Sequence, residues 1–205
     1  MFLIWGLRVF YRTTAQGVFY CRKCGGDRNY RLRSGRRFIT VFFIPLIPLN
    51  KVGEHVQCAT CKTRYVKDVL REPTTGQMQS ALADGMRAAV VAMLAAGAPV
   101  GGPARQLAIT TVREAGRASY DDAALQADLA KPAGSASLDT ALAGLAAQLR
   151  PEAKERYLES VIRVGMADAP LTTSERIAAE SIAAALGMTQ AQALGVITLT
   201  EQKLV

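Results

Sequence analysis

Apolar residues recur along this chain with two different periods, and the change falls near residue 75. Before it they come as short aromatic-rich runs broken by glycine. GVFY, residues 17–20, reads as a strand. NYRLR alternates, with Tyr30 and Leu32 sharing a face. Ser34-Gly35 reads as a turn and RRFITVFF as the returning strand. Pro45 and Pro48 are expected to end the ladder pairing, because neither donates a backbone N–H. VGEHVQC returns as a strand and TRYVKDVL leaves as another. The longest apolar run, FITVFFIPLIPL over residues 38–49, has 12 residues. A spanning helix needs about 20, so this run is expected to be a strand that leaves its sheet. The apolar start MFLIWGLRVFY lacks a basic n-region, a long h-region and a small-residue cleavage site, so no signal peptide is expected.

After Gly76 the spacing becomes three and four. QSALADGMRAAVVAMLAAG sets Leu82, Met86, Ala89, Val90 and Met93 on one helical face. PARQLAITTVREAG places Pro103 in a first turn and Gly116 at the C-terminal end of a second helix. Asp121 and Asp122 open a short third helix that ends near Lys131-Pro132, and Ser137 is the expected N-cap of a fourth. PEAKERYLESVIRVGMAD carries Pro151 and acidic residues in its first turn, which the helix dipole favours. Thr172 and Glu175 form a capping-box pattern before a helix that ends at Gly187, and Thr189 caps the last one. The predicted fold class is therefore α+β: a small antiparallel β domain, then an all-helical bundle of about seven helices.

Charge and composition divide the chain at the same place. Up to residue 75 there are 14 Lys/Arg against 4 Asp/Glu; the remainder has 11 against 13. Aromatic residues crowd the first part and alanine the second. The expected domains are residues 1–70 and 79–205, with 71–78 (around REPTTG) as a linker.

The four cysteines stand in two CxxC pairs, Cys21/Cys24 and Cys58/Cys61. Each pair is a tight turn that converges two thiolates, and two such turns complete a tetrahedral zinc shell. Gly25 and Gly26 let the first turn curl back. Thirty-three residues separate Cys24 from Cys58, enough for a small β-meander. Two disulfides would require a secreted domain, and a redox CxxC would sit in a βαβ pattern that is absent. Metal binding is expected to supply most of the small domain's folding free energy, on the order of 10 kcal/mol. Zinc thiolates fit a reducing cytoplasm, the expected location.

The apolar, glycine-containing start, the paired CxxC turns and the TVFFIPLIPLNK segment between them resemble the small zinc-ribbon domain found at the N-terminus of many bacterial proteins. The likeness covers about residues 1–70.

The helical half contains an internal repeat. MLAAGAPVGGPARQLAITTVREAG aligns without a gap on VGMADAPLTTSERIAAESIAAALG at an offset of 71 residues. Pro99 meets Pro170, Arg105 meets Arg176 and Gly116 meets Gly187; Asp168 meets Gly97 and Glu175 meets Ala104. A hard cation such as Ca2+ takes several carboxylate oxygens, so Asp168 and Glu175 are candidate ligands of a weak divalent site. Asp168 as a loop cap and Glu175 as a capping-box acid is the plainer reading. The stretch RVGMADAPLTTSERIAAESIAAALGMT resembles the TerB family of tellurite-resistance-associated proteins. That resemblance implies an all-helical bundle of two pseudo-repeated units with acidic, divalent-metal-binding loops. This chain departs from the pattern at Ala169 and in the acid-free first loop.

The sole histidine, His55, is expected to be an exposed strand or loop residue, because four cysteines already close a zinc shell. With one histidine there is no Ser/His/Asp or Cys/His relay, and no glycine-rich phosphate cradle is present, so a non-enzyme is expected. Seven basic residues fall close together: Arg22, Lys23, Arg28, Arg31, Arg33, Arg36 and Arg37, with Tyr30 and Phe38 among and beside them. They fit nucleic-acid phosphates, an anionic membrane surface touched peripherally, an acidic protein partner, or simply a solvated face. The leading expectation is an adaptor, a zinc ribbon joined to a TerB-like bundle in a tellurite- or stress-response assembly. A nucleic-acid-binding module is the alternative, and divalent-cation sensing a further one.

Overall fold

The computed structural model describes residues 5–41, 44–97, 99–131 and 135–204. The chain divides into two compact units, Met1–Gln77 and Met78–Val205. The first holds strands β1 (Trp5–Cys21), β2 (Gly26–Val41), β3 (Ile44–Cys58) and β4 (Arg64–Tyr65), then a 3-10 helix (Lys67–Arg71). All neighbours are antiparallel, in the order β1-β2-β3-β4. β1, β2 and β3, of 17, 16 and 15 residues, are far longer than the 5–6 residues typical of globular proteins, whereas β4 has two.

Among the described residues, the sheet's apolar core gathers at its cysteine end. Phe19, Leu32, Val56 and Val69 are buried there with Cys21 and Cys58, and Tyr30 and Tyr65 pack against them. Phe19 takes both tyrosine rings edge-on, at centroid distances of 5.8 and 5.5 Å. The rest of the meander extends away from that core as an arm.

Three local expectations change. Ser34 and Gly35 lie inside β2, paired with Arg12 and Tyr11, and form no turn. A Cβ on Gly35 would come within 2.8 Å of the Tyr11 ring and 3.2 Å of Val9 Cγ1. The glycine therefore makes room for a ring from the neighbouring strand, as Gly17 does for Tyr30. Pro45 and Pro48 do not end the ladder: they pair with Thr40 and Phe38 amid three register shifts. β4 reaches only Val56 and Gln57, so β3 is an edge strand where the prolines sit, and proline is tolerated on an edge. The run TRYVKDVL keeps two strand residues and then turns into the 3-10 helix. Phe42, Phe43, Ala98 and Pro132 fall outside the described residues.

The second unit contains α1 (Thr75–Ala96, which begins in the first unit), α2 (Gly102–Glu114), α3 (Asp122–Leu129), α4 (Ser135–Ala146), α5 (Pro151–Gly165), α6 (Thr173–Ala185) and α7 (Gln190–Leu204). The caps read from sequence appear at Asp121, Thr172 and Thr189. Ser137 is no N-cap, since α4 already starts at Ser135. Helix packing buries Met93, Leu158, Ile162, Ile182 and Leu186 in one core. No helix among the described residues is long and apolar enough to cross a membrane.

The repeat is visible in the helix ends. α2 and α6 each have 13 residues, and both ends differ by the same 71 positions. Gly116 and Gly187 follow them with φ of 122° and 69°, the left-handed region that suits glycine at a helix end.

Residues 71–78 hold the end of the 3-10 helix and the first turn of α1. Thr74 and Gln77 exchange side-chain-to-backbone bonds, with Thr74 N–H donating to Gln77 Oε1 at 2.9 Å and Gln77 N–H to Thr74 Oγ1 at 3.2 Å. The Asp27 carboxylate accepts the Thr75 and Gly76 N–H groups at 2.9 and 3.3 Å. Those bonds hold its carboxyl below the usual range, and the helix start gains a charged cap.

Candidate metal centre

Each CxxC pair closes its own turn. Cys24 N–H and Gly25 N–H both donate to Cys21 O, at 3.1 and 2.9 Å, and Lys62 N–H donates to Cys58 O at 3.1 Å. The residue after each second cysteine is left-handed, Gly25 at φ 67° and Lys62 at φ 61°. The two turns are thus built alike, but only the first uses glycine. Gly26 already belongs to β2 and pairs with Cys21.

β1 and β3 end side by side with β2 between them, so their terminal cysteines meet. The four Sγ atoms lie within 4.8 Å of one another, and Cys21 and Cys61, from different turns, are 3.7 Å apart. A tetrahedral zinc with bonds near 2.3 Å requires sulfur–sulfur edges of about 3.8 Å. All four cysteines are free, and the cluster fits Zn2+. Zn2+ held by these four sulfurs would cross-link the two turns. Four thiolates complete its shell and leave no position for substrate water.

The surrounding donors suit thiolates. Tyr65 Oη lies 3.2 Å from Cys21 Sγ and accepts the Lys23 N–H at 3.3 Å. Burial alone would raise Cys21, but the Tyr65 hydroxyl and the Cys24 amide bring it below its ordinary value. Thr63 Oγ1 sits 3.3 Å from Cys61 Sγ, and the Thr63 side chain and backbone bring that thiol down to about 6. Burial pushes Cys24 up to about 12. Tyr65 and Thr63 are the supporting residues that no motif announces; both follow the second turn within four residues of Cys61.

His55 is half-buried on β3, its ring edge-on to Tyr11 at 5.0 Å, and belongs to no ligand group. Burial, then Arg64 and Arg33, lowers its pKa.

The seven basic residues do not form one surface. Arg22 pairs with Glu72, Lys23 lies in the first turn, and Arg28 Nη1 donates to Asp27 O at 2.7 Å. Along β2, Arg36 shares the face of Tyr30 and Leu32, and its Nε donates to Leu49 O at 3.1 Å. Arg31, Arg33 and Arg37 lie on the opposite face.

Asp168 and Glu175 are engaged with backbone. Asp168 Oδ2 accepts the Gly101 N–H at 2.8 Å and Oδ1 the Ala104 N–H at 3.1 Å. Glu175 Oε2 accepts both the N–H and the hydroxyl of Thr172 at 2.8 Å. Among the described residues, the cysteine quartet is the one group of three or more potential ligands. Glu175 is thus the capping-box acid, whereas Asp168 caps the start of α2 in the other repeat and not its own loop or helix end, and no support for Ca2+ comes from this loop.

A family model described as a zinc-ribbon family matches residues 19–78, which takes in all four cysteines, Tyr65 and the first turn of α1. No curated protein and no solved structure matches the chain.

Proposed function

We propose that this chain is a non-enzymatic adaptor whose zinc-stapled ribbon and helical bundle act through binding. The four-thiolate cluster carries the reading, because a saturated metal offers rigidity and no reactive position. The long, sparsely covered strands beyond it are a scaffold for recognition. The 13-residue helices α2 and α6, at an offset of 71 residues, support a TerB-like bundle for the second unit, and with it a place in a tellurite- or stress-response assembly. A four-thiolate zinc site supports a cytoplasmic location.

The test is affinity capture by the full chain and by its Cys58→Ser/Cys61→Ser variant, with zinc measured in both. One zinc per wild-type chain and a captured set that disappears with the second turn are expected. A captured set indifferent to that loss overturns the reading.

A further inference from the structure

One face of the long sheet is divided between arginines with no acidic partner among the described residues and largely exposed hydrocarbon. Alternation along β2 puts Arg31, Arg33, Arg37 and Ile39 on the side opposite the buried core. Pairing adds Val9 and Leu7 from β1, opposite Arg37 and Ile39, Tyr11 opposite Gly35, Val18 opposite Asn29, and Ile47 and His55 from β3. Arg64 joins through its pairing with Gln57, itself opposite Arg31.

At the cysteine end this face is cationic. Arg31, Arg33, Gln57 and Lys62 line a cavity of about 220 Å³. Arg33 Nε is buried there without a hydrogen-bond partner among the described residues. None of Arg31, Arg33, Arg37 and Arg64 pairs with an acid among those residues. Of the two acids in the long strands, Glu54 lies on the other face, and Asp27 is occupied by the Thr75 and Gly76 amides. At the far end, Leu7, Ile44 and Ile47 are 57, 59 and 54% exposed. The strand rise of about 3.4 Å per residue puts roughly 20 Å between Arg33 and Ile39.

We propose that this face, basic at Arg31/Arg33/Arg37 and apolar at Leu7/Ile39/Ile47, docks flat on an anionic phospholipid bilayer. The proposal goes beyond the adaptor reading by naming a surface that the ribbon takes. Exposed branched aliphatics enter the boundary between headgroups and acyl chains, while the guanidinium groups meet lipid phosphates. A second copy of the chain is the wrong occupant, since its matching face offers the arginines only arginine or hydrocarbon and no free acid. A nucleic acid would use the arginines and the Tyr11 ring but leave the aliphatic third idle, because bases stack on rings and not on leucine or isoleucine.

The test is co-sedimentation of the zinc-loaded full chain with vesicles of phosphatidylglycerol and phosphatidylcholine, against pure phosphatidylcholine. Arg31→Glu/Arg37→Glu and Ile47→Ser probe the two ends, and Lys51→Glu, paired with Arg36 on the other face, is the charge control. Zinc content near one per chain shows that each variant retains the ribbon. Binding to anionic vesicles alone is expected, weakened more than tenfold by the double arginine reversal, clearly by Ile47→Ser and least by Lys51→Glu. Equal binding to neutral vesicles, no binding to either, or Lys51→Glu as damaging as the double reversal overturns the proposal. So does tighter binding to a duplex oligonucleotide that is unaffected by Ile47→Ser, which would assign the arginines to nucleic acid.

Discussion

Gly101 and Thr172 hold the same place in the two repeats, 71 residues apart, and cap their helices by opposite means. Thr172 uses its own hydroxyl, which accepts the Glu175 N–H at 3.3 Å. Gly101 has no side chain, and Asp168 from the other repeat supplies the missing acceptor to Gly101 and Ala104. The exchange also explains the glycines. A Cβ on Gly101 would stand 2.4 Å from Asp168 Oδ2, and one on Gly97 would stand 2.1 Å from Glu175 Oε1. Each acid thus fills the space that a side chain in the other loop would take.

Asp168→Ala is therefore expected to cost about 1 kcal/mol, the usual worth of an N-cap. Gly101→Ser is expected to destabilise the wild type through collision with Asp168 and to stabilise the Asp168→Ala background by restoring a local cap. Chemical denaturation of the four chains in this cycle gives the sign directly. If Gly101→Ser has the same sign in both backgrounds, the capping exchange is refuted. Millimolar Ca2+ is expected to leave the melting temperature unchanged, because both carboxylates already serve amides.

Metal removal is expected to act on the ribbon first. Zinc-linked folding free energy of small four-ligand sites is on the order of 10 kcal/mol, more than the few residues of the ribbon core can replace. Treatment with a strong chelator should abolish the sheet's amide-exchange protection while protection in α5 to α7 persists. Retained protection in β1–β3 without metal would show that the long strands hold themselves.

The second cysteine turn holds a non-glycine residue in a left-handed conformation. Lys62 at φ 61° bears a cost of about 1 kcal/mol that Gly25 avoids in the first turn. Its ammonium recovers part of that by donating to Ala59 O at 2.6 Å. Lys62→Gly is expected to raise stability by about 0.5 kcal/mol, seen as a higher denaturation midpoint of the zinc-loaded chain. A lower midpoint would mean that the ammonium contact outweighs the backbone strain.

The features legible in the sequence were those whose cause is local. The cysteine quartet is visible because a CxxC turn positions its own two sulfurs, and the caps at Asp121, Thr172 and Thr189 are visible because a cap spans three or four residues. Gly35 was misread because the reason for it, the Tyr11 ring, arrives from another strand. Pro45 and Pro48 were misread because proline is harmful or harmless according to whether its strand has a second neighbour. The seven basic residues look like one patch in the sequence because a turn expected at Ser34-Gly35 hides the unbroken strand alternation that divides them. The Asp168 cap needed both repeats to be folded against each other before its acceptor role existed.

The same non-local logic produces a densely bonded acid in the helical unit. Asp128 on α3 receives Arg87 Nη1 on both oxygens at 2.9 Å, Lys131 Nζ at 2.8 Å and the Tyr120 hydroxyl at 3.0 Å. Burial would raise its pKa, but the bonds from Lys131, Arg87 and Tyr120 outweigh burial and hold it below the ordinary 3.8. A carboxylate with a depressed folded pKa contributes stability that is present above the unfolded value and disappears as pH falls through the folded one. At pH 7, Asp128→Asn is expected to be less stable than wild type by about 2–3 kcal/mol, since it leaves Arg87 beside a neutral amide. The gap should close as pH falls below about 4, where wild type takes up the proton that the amide mimics. Urea denaturation followed by helical circular dichroism at pH 7, 4 and 2.5 measures it. A gap that stays constant across that range would show that Asp128 matters through shape and not through charge.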